Sequence, residues 1–247
     1  MKLRWLIAVL CIYGLAGLTG CASVPSGATG VSGKRLTVSI TFAGPVNPSY
    51  YYFFLVNNAA DSVGQNGPIP VIAPPYLNGF ATGAFTDFVE FNGQQSGTTG
   101  YAIYHVVGGI DGDPNRGNFL LVGQPVASQP PNGGNALQFT LVLSQLTPPS
   151  GEVDPNHGNL PRYLQVNIIA TNLVPRNSQT QVDKYVDAMG DQSSVNSGTF
   201  NSYLTIDTSQ NRIWSDQNTI AEPAHDVYPG DGDPSIDIVH WSIEASQ

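Results

Sequence analysis

Cysteine and positive charge are scarce in this chain. Its 247 residues include 2 cysteines, Cys11 and Cys21, and both lie close to the N-terminus. Lysine and arginine together number 9 against 18 acidic residues, which gives a formal net charge of −9. Phosphate binding needs a basic surface, so this balance argues against nucleic acid as a partner. It argues equally against electrostatic docking to anionic lipid headgroups.

The usual catalytic signatures are missing downstream of residue 20. The sequence there has no Gly-x-Ser-x-Gly nucleophile elbow, no His-Glu-x-x-His zinc helix and no Gly-x-x-x-x-Gly-Lys phosphate loop. The 4 histidines are scattered along the chain, as surface or core histidines usually are. These absences lower the odds of an enzyme without excluding one.

The N-terminus has the features of an export signal. Lys2 and Arg4 precede an apolar run from Trp5 to Leu18, and small residues follow. This pattern is typical of a secretory signal, and the run is shorter than the about 20 residues of a transmembrane helix. The stretch Leu18-Thr19-Gly20-Cys21 resembles the lipobox of bacterial lipoproteins. The alternative is an ordinary secretory signal with a chance cysteine.

The resemblance implies cleavage before Cys21, a diacylglycerol on its thiol and an acyl chain on its amino group. The membrane would then be a partner through this lipid. The residue after Cys21 is Ala22. In lipoproteins of this kind, an Asp at that position would retain the protein at the inner membrane. In a two-membrane bacterium this implies transfer to the outer membrane, and in a single-membrane organism the outer face of the plasma membrane.

Removal of residues 1–20 leaves a chain without a disulfide, because Cys11 is lost and Cys21 carries lipid. Residues 21–33 are small and polar, which predicts a flexible tether. Residues 34–247 are the predicted folded domain. Hydrophobic residues make up 41% of the chain, enough for a core, so stability must come from packing and hydrogen bonding.

The pattern in this region predicts an all-β fold. Leu36 to Phe42 alternates apolar with polar residues, which indicates a half-buried strand. Similar features then recur in the same order, and residues 82–92 align without gaps on residues 197–207. We infer an old duplication with repeat units at about 34–128 and 135–247. The two five-stranded units are predicted to pack into one β-sandwich of about ten strands, and the alternative is two small tandem sandwiches.

One short helix is predicted near residues 181–190. Val182, Tyr185, Val186 and Met189 fall at positions i, i+3, i+4 and i+7, with charged residues between them. That spacing places the four apolar side chains on one face of an amphipathic helix.

Two Asp-Gly-Asp-Pro segments are the first candidate site. They contain Asp111 and Asp113 in the first unit and Asp231 and Asp233 in the second. Two carboxylates this close can offer oxygen ligands to calcium, and Asp226 and Asp237 add oxygens near the second segment. The same residues are selected by ordinary β-turns, so no cofactor is predicted and calcium is not favoured.

The aromatic run at residues 50–54 is the second candidate site. Tyr50, Tyr52 and Trp214 are candidate ligand-binding residues, because exposed rings on a rigid strand stack on sugars or contact another protein. The alternative is that one face of the run fills the core and the other packs under a loop.

Together these features predict a lipid-anchored cell-envelope protein with a non-catalytic ectodomain, in a binding or structural role. The partner would be an envelope protein or a glycan. The alternative is a surface-anchored hydrolase that acts on glycans with Asp and Glu residues from loops. Two carboxylates facing each other across an exposed cleft, about 5–10 Å apart, would favour the hydrolase.

Overall fold

The computed structural model describes residues 33–59, 62–63, 67–95, 99–107, 118–146, 160–190, 203–230 and 232–247. Residues Gly33–Gln247 form one compact unit. The predicted signal and nearly all of the predicted tether therefore lie outside the described residues. In the described part no helix is both long and apolar enough to cross a membrane.

The prediction of an all-β fold is confirmed, because the described residues form antiparallel strands and a single 3-10 turn at Leu143–Gln145. The strands are β1 Arg35–Phe42, β2 Tyr51–Ala59, β3 Ile69–Pro70, β4 Ala81–Thr82, β5 Asp87–Phe91, β6 Tyr101–Val107, β7 Asn118–Gly123, β8 Ala127–Gln129, β9 Ala136–Val142, β10 Tyr163–Thr171, β11 Val186–Ala188, β12 Leu204–Asp207, β13 Arg212–Ser215 and β14 Ile238–Ser246.

The strands form two large sheets and one small one. Sheet A has the order β13-β14-β1-β9-β8. Sheet B has the order β11-β10-β2-β5-β6-β7, and β12 pairs with the same side of β10 as β11. The third sheet is the short pair β3-β4. Sheets A and B enclose the main core, so the architecture is a β-sandwich.

Alternation along β1 explains which face of sheet A meets the core. Leu36, Val38, Ile40 and Phe42 are buried, and the residues between them are half-buried on the opposite face. Phe42 meets Tyr52 of sheet B with ring centroids 4.9 Å apart. The period of two therefore places every second side chain of β1 between the sheets.

A second apolar layer covers the other face of sheet B. The ring of Phe53 on β2 stacks on Phe80 at 4.2 Å, and Phe80 lies 5.2 Å from Phe88 on β5. Phe80 belongs to the loop region that also contains β3 and β4. Strand β2 is therefore buried on both faces, which explains why its sequence is apolar without alternation.

The two predicted repeat units do not form one sheet each. Strand β1 pairs with β9 so that Val38 lies opposite Phe139, and β2 pairs with β10 so that Phe54 lies opposite Ile168. Each sheet thus contains strands of both units. In the predicted repeat Ile103-Tyr104 matches Ile213-Trp214. The first pair lies on β6 of sheet B, but the second lies on β13 of sheet A. The duplication itself stays a prediction.

The predicted helix at 181–190 is wrong. Residues 181–185 have no regular structure, and Val186–Ala188 form strand β11 on the edge of β10. Val186 packs in the outer apolar layer of sheet B, whereas Met189 packs in the main core. The apolar residues therefore serve two different faces of a sheet, and pairing with β10 supplies the backbone hydrogen bonds that a helix would have made.

Candidate functional site

Two features of the described residues could carry function. The first is a carboxylate cluster, which we define as the buried residues Asp187, Asp226 and Asp237 and the half-buried Glu222. The second is the polar face, which we define as the outer surface of sheet A around Thr37, Ser39, Gln138, Thr140 and Ser242.

Three members of the carboxylate cluster meet at one end of the sandwich. Asp187 lies on β11, and alternation turns it inward while Val186 and Ala188 face the outer layer. Asp237 immediately precedes β14, and Asp226 lies in the connection from β13 to β14. These three side chains are buried. One carboxylate oxygen from each residue lies within 4.8 Å of the corresponding oxygens of the other two.

Backbone N–H groups fix two of these carboxylates. Asp187 accepts hydrogen bonds from the N–H of Ala188 at 2.8 Å and of Ile238 at 2.6 Å. Both oxygens of Asp237 accept from the N–H of His225, at 3.0 and 3.1 Å. His225 has a positive φ of 67°, so its backbone is turned toward this carboxylate in the left-handed region.

Burial and mutual repulsion keep part of the cluster neutral. Burial raises the pKa of Asp187 well above its ordinary value, and the nearby Asp226 carboxylate raises it further. Burial, together with the charge on Asp187, raises the pKa of Glu222 to about 10. Like charges packed this closely cannot all ionise, so the cluster holds protons at neutral pH.

Glu222 completes the cluster from a neighbouring loop. One of its oxygens accepts a hydrogen bond from the N–H of Gly190 at 2.9 Å. The cluster therefore joins strand β11, and Gly190 two residues beyond it, to the loop before β14. Carboxylate oxygens are also the ligands that calcium takes, so within the described ranges Asp187, Asp226 and Asp237 are the residues that could hold a hard cation.

The polar face is built from short uncharged side chains in register. The hydroxyls of Thr37 and Thr140 lie 3.1 Å apart, and the amide of Gln138 donates to the hydroxyl of Ser39 at 3.0 Å. Ser242 lies beside Ser39 on the next strand. Two shallow depressions of about 350 and 250 Å³ flank these rows.

The sequence-predicted metal residues are described only in part. Cys21, Asp111, Asp113 and Asp231 lie outside the described residues. Asp233 accepts hydrogen bonds from the N–H of Ser235 at 2.9 Å and from the hydroxyl of Tyr50 at 3.0 Å. Burial would raise the pKa of Asp233, but the bonds from Ser235 outweigh it and lower that pKa. This arrangement is that of an Asx turn, and calcium binding there stays untested.

The predicted aromatic residues do not form an exposed surface. Tyr52 and Trp214 are buried in the main core, and Tyr50 is half-buried against it. The hydroxyl of Tyr52 donates to the carbonyl of Ser235 at 2.9 Å, which satisfies its polar end inside the protein. The expectation of exposed rings is therefore wrong for Tyr52 and Trp214, because sheet pairing turns both toward the other sheet.

Sequence reasoning noticed Asp226 and Asp237 but missed Asp187 and Glu222. The helical pattern assigned Asp187 to an exposed polar face, whereas the strand turns it inward. One signal was available: Asp187 stands between Val186 and Ala188-Met189 in a short apolar stretch. Nothing local in the sequence distinguishes Glu222 from a surface residue, because its burial depends on contacts from distant segments.

Two further buried ionisable groups lie away from the cluster. On sheet B, Asp87 is buried and contacts the imidazole Nδ1 of His105 on the neighbouring strand. Under the outer layer, the ammonium of Lys184 donates to the carbonyl of Val71. Burial lowers the pKa of Lys184 to about 7.

The comparisons with known proteins identify no relative. No protein-family model matches the chain, and neither the curated proteins nor the solved structures provide a match. The geometry of the described residues must therefore carry the functional argument.

Proposed function

We propose that this protein is a lipid-anchored cell-envelope protein whose β-sandwich binds a neutral glycan without catalysis. The lipid on Cys21 would hold the chain at the membrane, and residues 21–33 would separate the folded unit from it. The observation that carries the binding part of the proposal is the row of uncharged side chains Thr37, Ser39, Gln138 and Thr140 on the polar face of sheet A. Glu244 lies beside Thr37 at the edge of this row, and Asp216 and His240 line the depression next to Ser39.

The chemistry of this face suits sugar hydroxyls. Serine and threonine hydroxyls both donate and accept hydrogen bonds, and the glutamine amide offers one group of each kind. Thr37, Ser39, Gln138 and Thr140 present these groups on two paired strands, so their spacing is fixed by the sheet. A rigid row of such groups binds without the entropy cost of ordering a loop.

The arrangement of carboxylates favours binding over hydrolysis. A glycoside hydrolase needs two carboxyl groups on either side of a substrate cleft. Asp187, Asp226 and Asp237 bring their oxygens within 4.8 Å of one another, but all three side chains are buried and do not flank an exposed cleft. That supports the non-catalytic proposal over the hydrolase alternative.

The anchor is tested by changing Cys21 to Ser in the full-length protein. We expect the Cys21→Ser protein to lose fatty-acid labelling and to accumulate as the unprocessed chain. Any molecules that are cleaved by another route should be released from the membrane fraction. The wild-type protein should take up the label. Equal labelling of wild-type and Cys21→Ser protein would disprove the anchor.

The role of the polar face is tested by cosedimentation. The full-length protein in detergent is mixed with purified cell-wall glycan from the organism that produces the protein. We expect Ser39→Arg to weaken binding at least tenfold, because a long cation would stand among the polar rows. Gln179→Arg is the matched control, since Gln179 is exposed in a loop. Unaltered binding by Ser39→Arg, or no binding by the wild-type protein, would disprove this role for the polar face.

A further inference from the structure

The edge strand β7 is unusually apolar for a strand at the side of a sheet. It runs from Asn118 to Gly123 and pairs on one side with β6. Leu120, Leu121 and Val122 are 53%, 59% and 41% exposed. No strand within the described residues pairs with the other side of β7.

The remaining edges of the two large sheets are protected in ways that β7 is not. Strands β8 and β11 have 3 residues each, and β13 has 4 residues and carries Arg212. Short length and charge are the usual devices that prevent an edge from pairing with another chain. Strand β7 has 6 residues, with no charge and no proline.

The backbone orientation of β7 follows from its neighbours. The N–H of Val106 on β6 donates to the carbonyl of Thr86, on the side away from β7. Val106 lies opposite Phe119, and Tyr104 lies opposite Leu121. Because hydrogen-bonded and non-bonded pairs alternate in an antiparallel ladder, the N–H and C=O groups of Phe119 and Leu121 point outward.

We propose that β7 pairs antiparallel with β7 of a second copy of this chain, which makes sheet B continuous across a dimer. A two-fold axis perpendicular to the sheet would pass beside Leu121. In that register Leu121 lies opposite the partner's Leu121, and both supply outward N–H and C=O groups. Leu120 then lies opposite the partner's Val122.

Charge and sequence favour a second copy as the occupant. Unpaired backbone groups on a strand edge select another strand. The chain is acidic, with a net charge of −9, so most contacts between two copies are repulsive. Strand β7 avoids this repulsion, because its central residues Phe119-Leu120-Leu121-Val122 are uncharged and apolar. Self-pairing covers apolar side chains with apolar side chains.

Disulfide trapping tests the register in the full-length protein. In a hydrogen-bonded antiparallel pair the Cα atoms are about 5.5 Å apart, which is within the range of a disulfide. We expect Leu121→Cys to give a dimer on a non-reducing gel after mild oxidation. The matched control is Ile213→Cys on β13, because Ile213 is 52% exposed on an edge strand of sheet A. Wild-type protein controls for Cys11 and Cys21.

A charge-swap experiment tests the dimer without cysteine. The full-length wild-type protein in detergent should have twice the chain mass by light scattering, and Leu121→Lys should have the mass of one chain. Mixing Leu121→Lys with Leu121→Glu should restore the dimer, because opposite charges then meet at the axis. The thermal transition of each variant shows that it is folded.

Three results would overturn the proposal. They are a monomeric wild-type protein, a Leu121→Cys protein that forms no more dimer than Ile213→Cys, and a Leu121→Lys protein that still dimerises. A monomeric wild-type protein that purifies with a different protein, and loses it on Leu121→Lys, would assign the edge to that protein instead.

Discussion

The Oδ2 atom of Asp187 accepts a hydrogen bond of 2.6 Å from the backbone N–H of Ile238. Asp187 belongs to sheet B and Ile238 is the first residue of β14 in sheet A. This bond therefore joins the two sheets at the end of the sandwich where the carboxylate cluster lies. A buried polar group in such a place stabilises the fold only while its partners are satisfied.

Changing Asp187 to Asn should destabilise the protein. Both oxygens of Asp187 accept from backbone N–H groups, those of Ala188 and Ile238. An asparagine amide replaces one acceptor with a donor, which leaves one of these buried N–H groups unsatisfied. We expect a loss of about 1–3 kcal/mol in the free energy of unfolding, measured by urea denaturation. The exposed Asp183→Asn is the control, and an equal effect of both changes would contradict the role of Asp187.

The pKa of Glu222 predicts a particular dependence of stability on pH. Its value of about 10 in the folded state is raised above the ordinary 4.5. A raised carboxyl pKa contributes stability fully below about pH 4.5, and this contribution is lost as the pH rises toward 10. Glu222→Gln removes the titration and keeps a neutral side chain. We therefore expect the variant to be more stable than wild type at pH 8, by about 1 kcal/mol or about 2–4 °C in Tm.

The comparison at low pH makes this prediction specific. At pH 4.5 the Tm values of Glu222→Gln and wild type should differ much less than at pH 8, because the carboxyl is then protonated in the folded state and about half protonated in the unfolded state. The exposed Glu244→Gln on sheet A is the control, and it should leave the pH profile unchanged. A Tm difference between wild type and Glu222→Gln that is the same at pH 4.5 and pH 8 would refute the titration argument.

The first predicted repeat unit should not fold alone. Residues 34–128 include β1 and β2, but both sheet neighbours of β1, strands β9 and β14, lie outside this fragment. Strand β2 likewise loses β10. The fragment would expose the inner faces of both strands, so we expect no cooperative thermal transition by circular dichroism. A soluble fragment with such a transition would instead support two independent domains.

The strands that alternate clearly could be predicted from sequence. Leu36 to Phe42 alternates in the sequence, and β1 occupies Arg35–Phe42. The period of two is a local property, and any sheet that buries one face satisfies it. Residues 85–92 and 101–107 also contain short apolar runs separated by turn residues, and β5 and β6 pair there with Phe88 opposite Tyr104.

The segment at 181–190 shows where local pattern failed. Val182, Tyr185, Val186 and Met189 have helical spacing, but the open edge of β10 offers hydrogen bonds to an extended chain. Sheet B also has apolar layers on both faces, so Val186 and Met189 can both be buried on opposite sides. Only the tertiary structure provides those two layers, and they override a short amphipathic pattern.

The sequence by itself determined the acidic balance and the all-β class, because each depends on composition or on residues close together in the chain. The tertiary structure alone decided which strands from the two predicted units share a sheet. It also decided that Asp187, Asp226 and Asp237 meet in the core while Ser39 and Gln138 line an open face. These relationships depend on pairings between residues far apart in sequence, and such pairings are set by the packing of the whole sandwich.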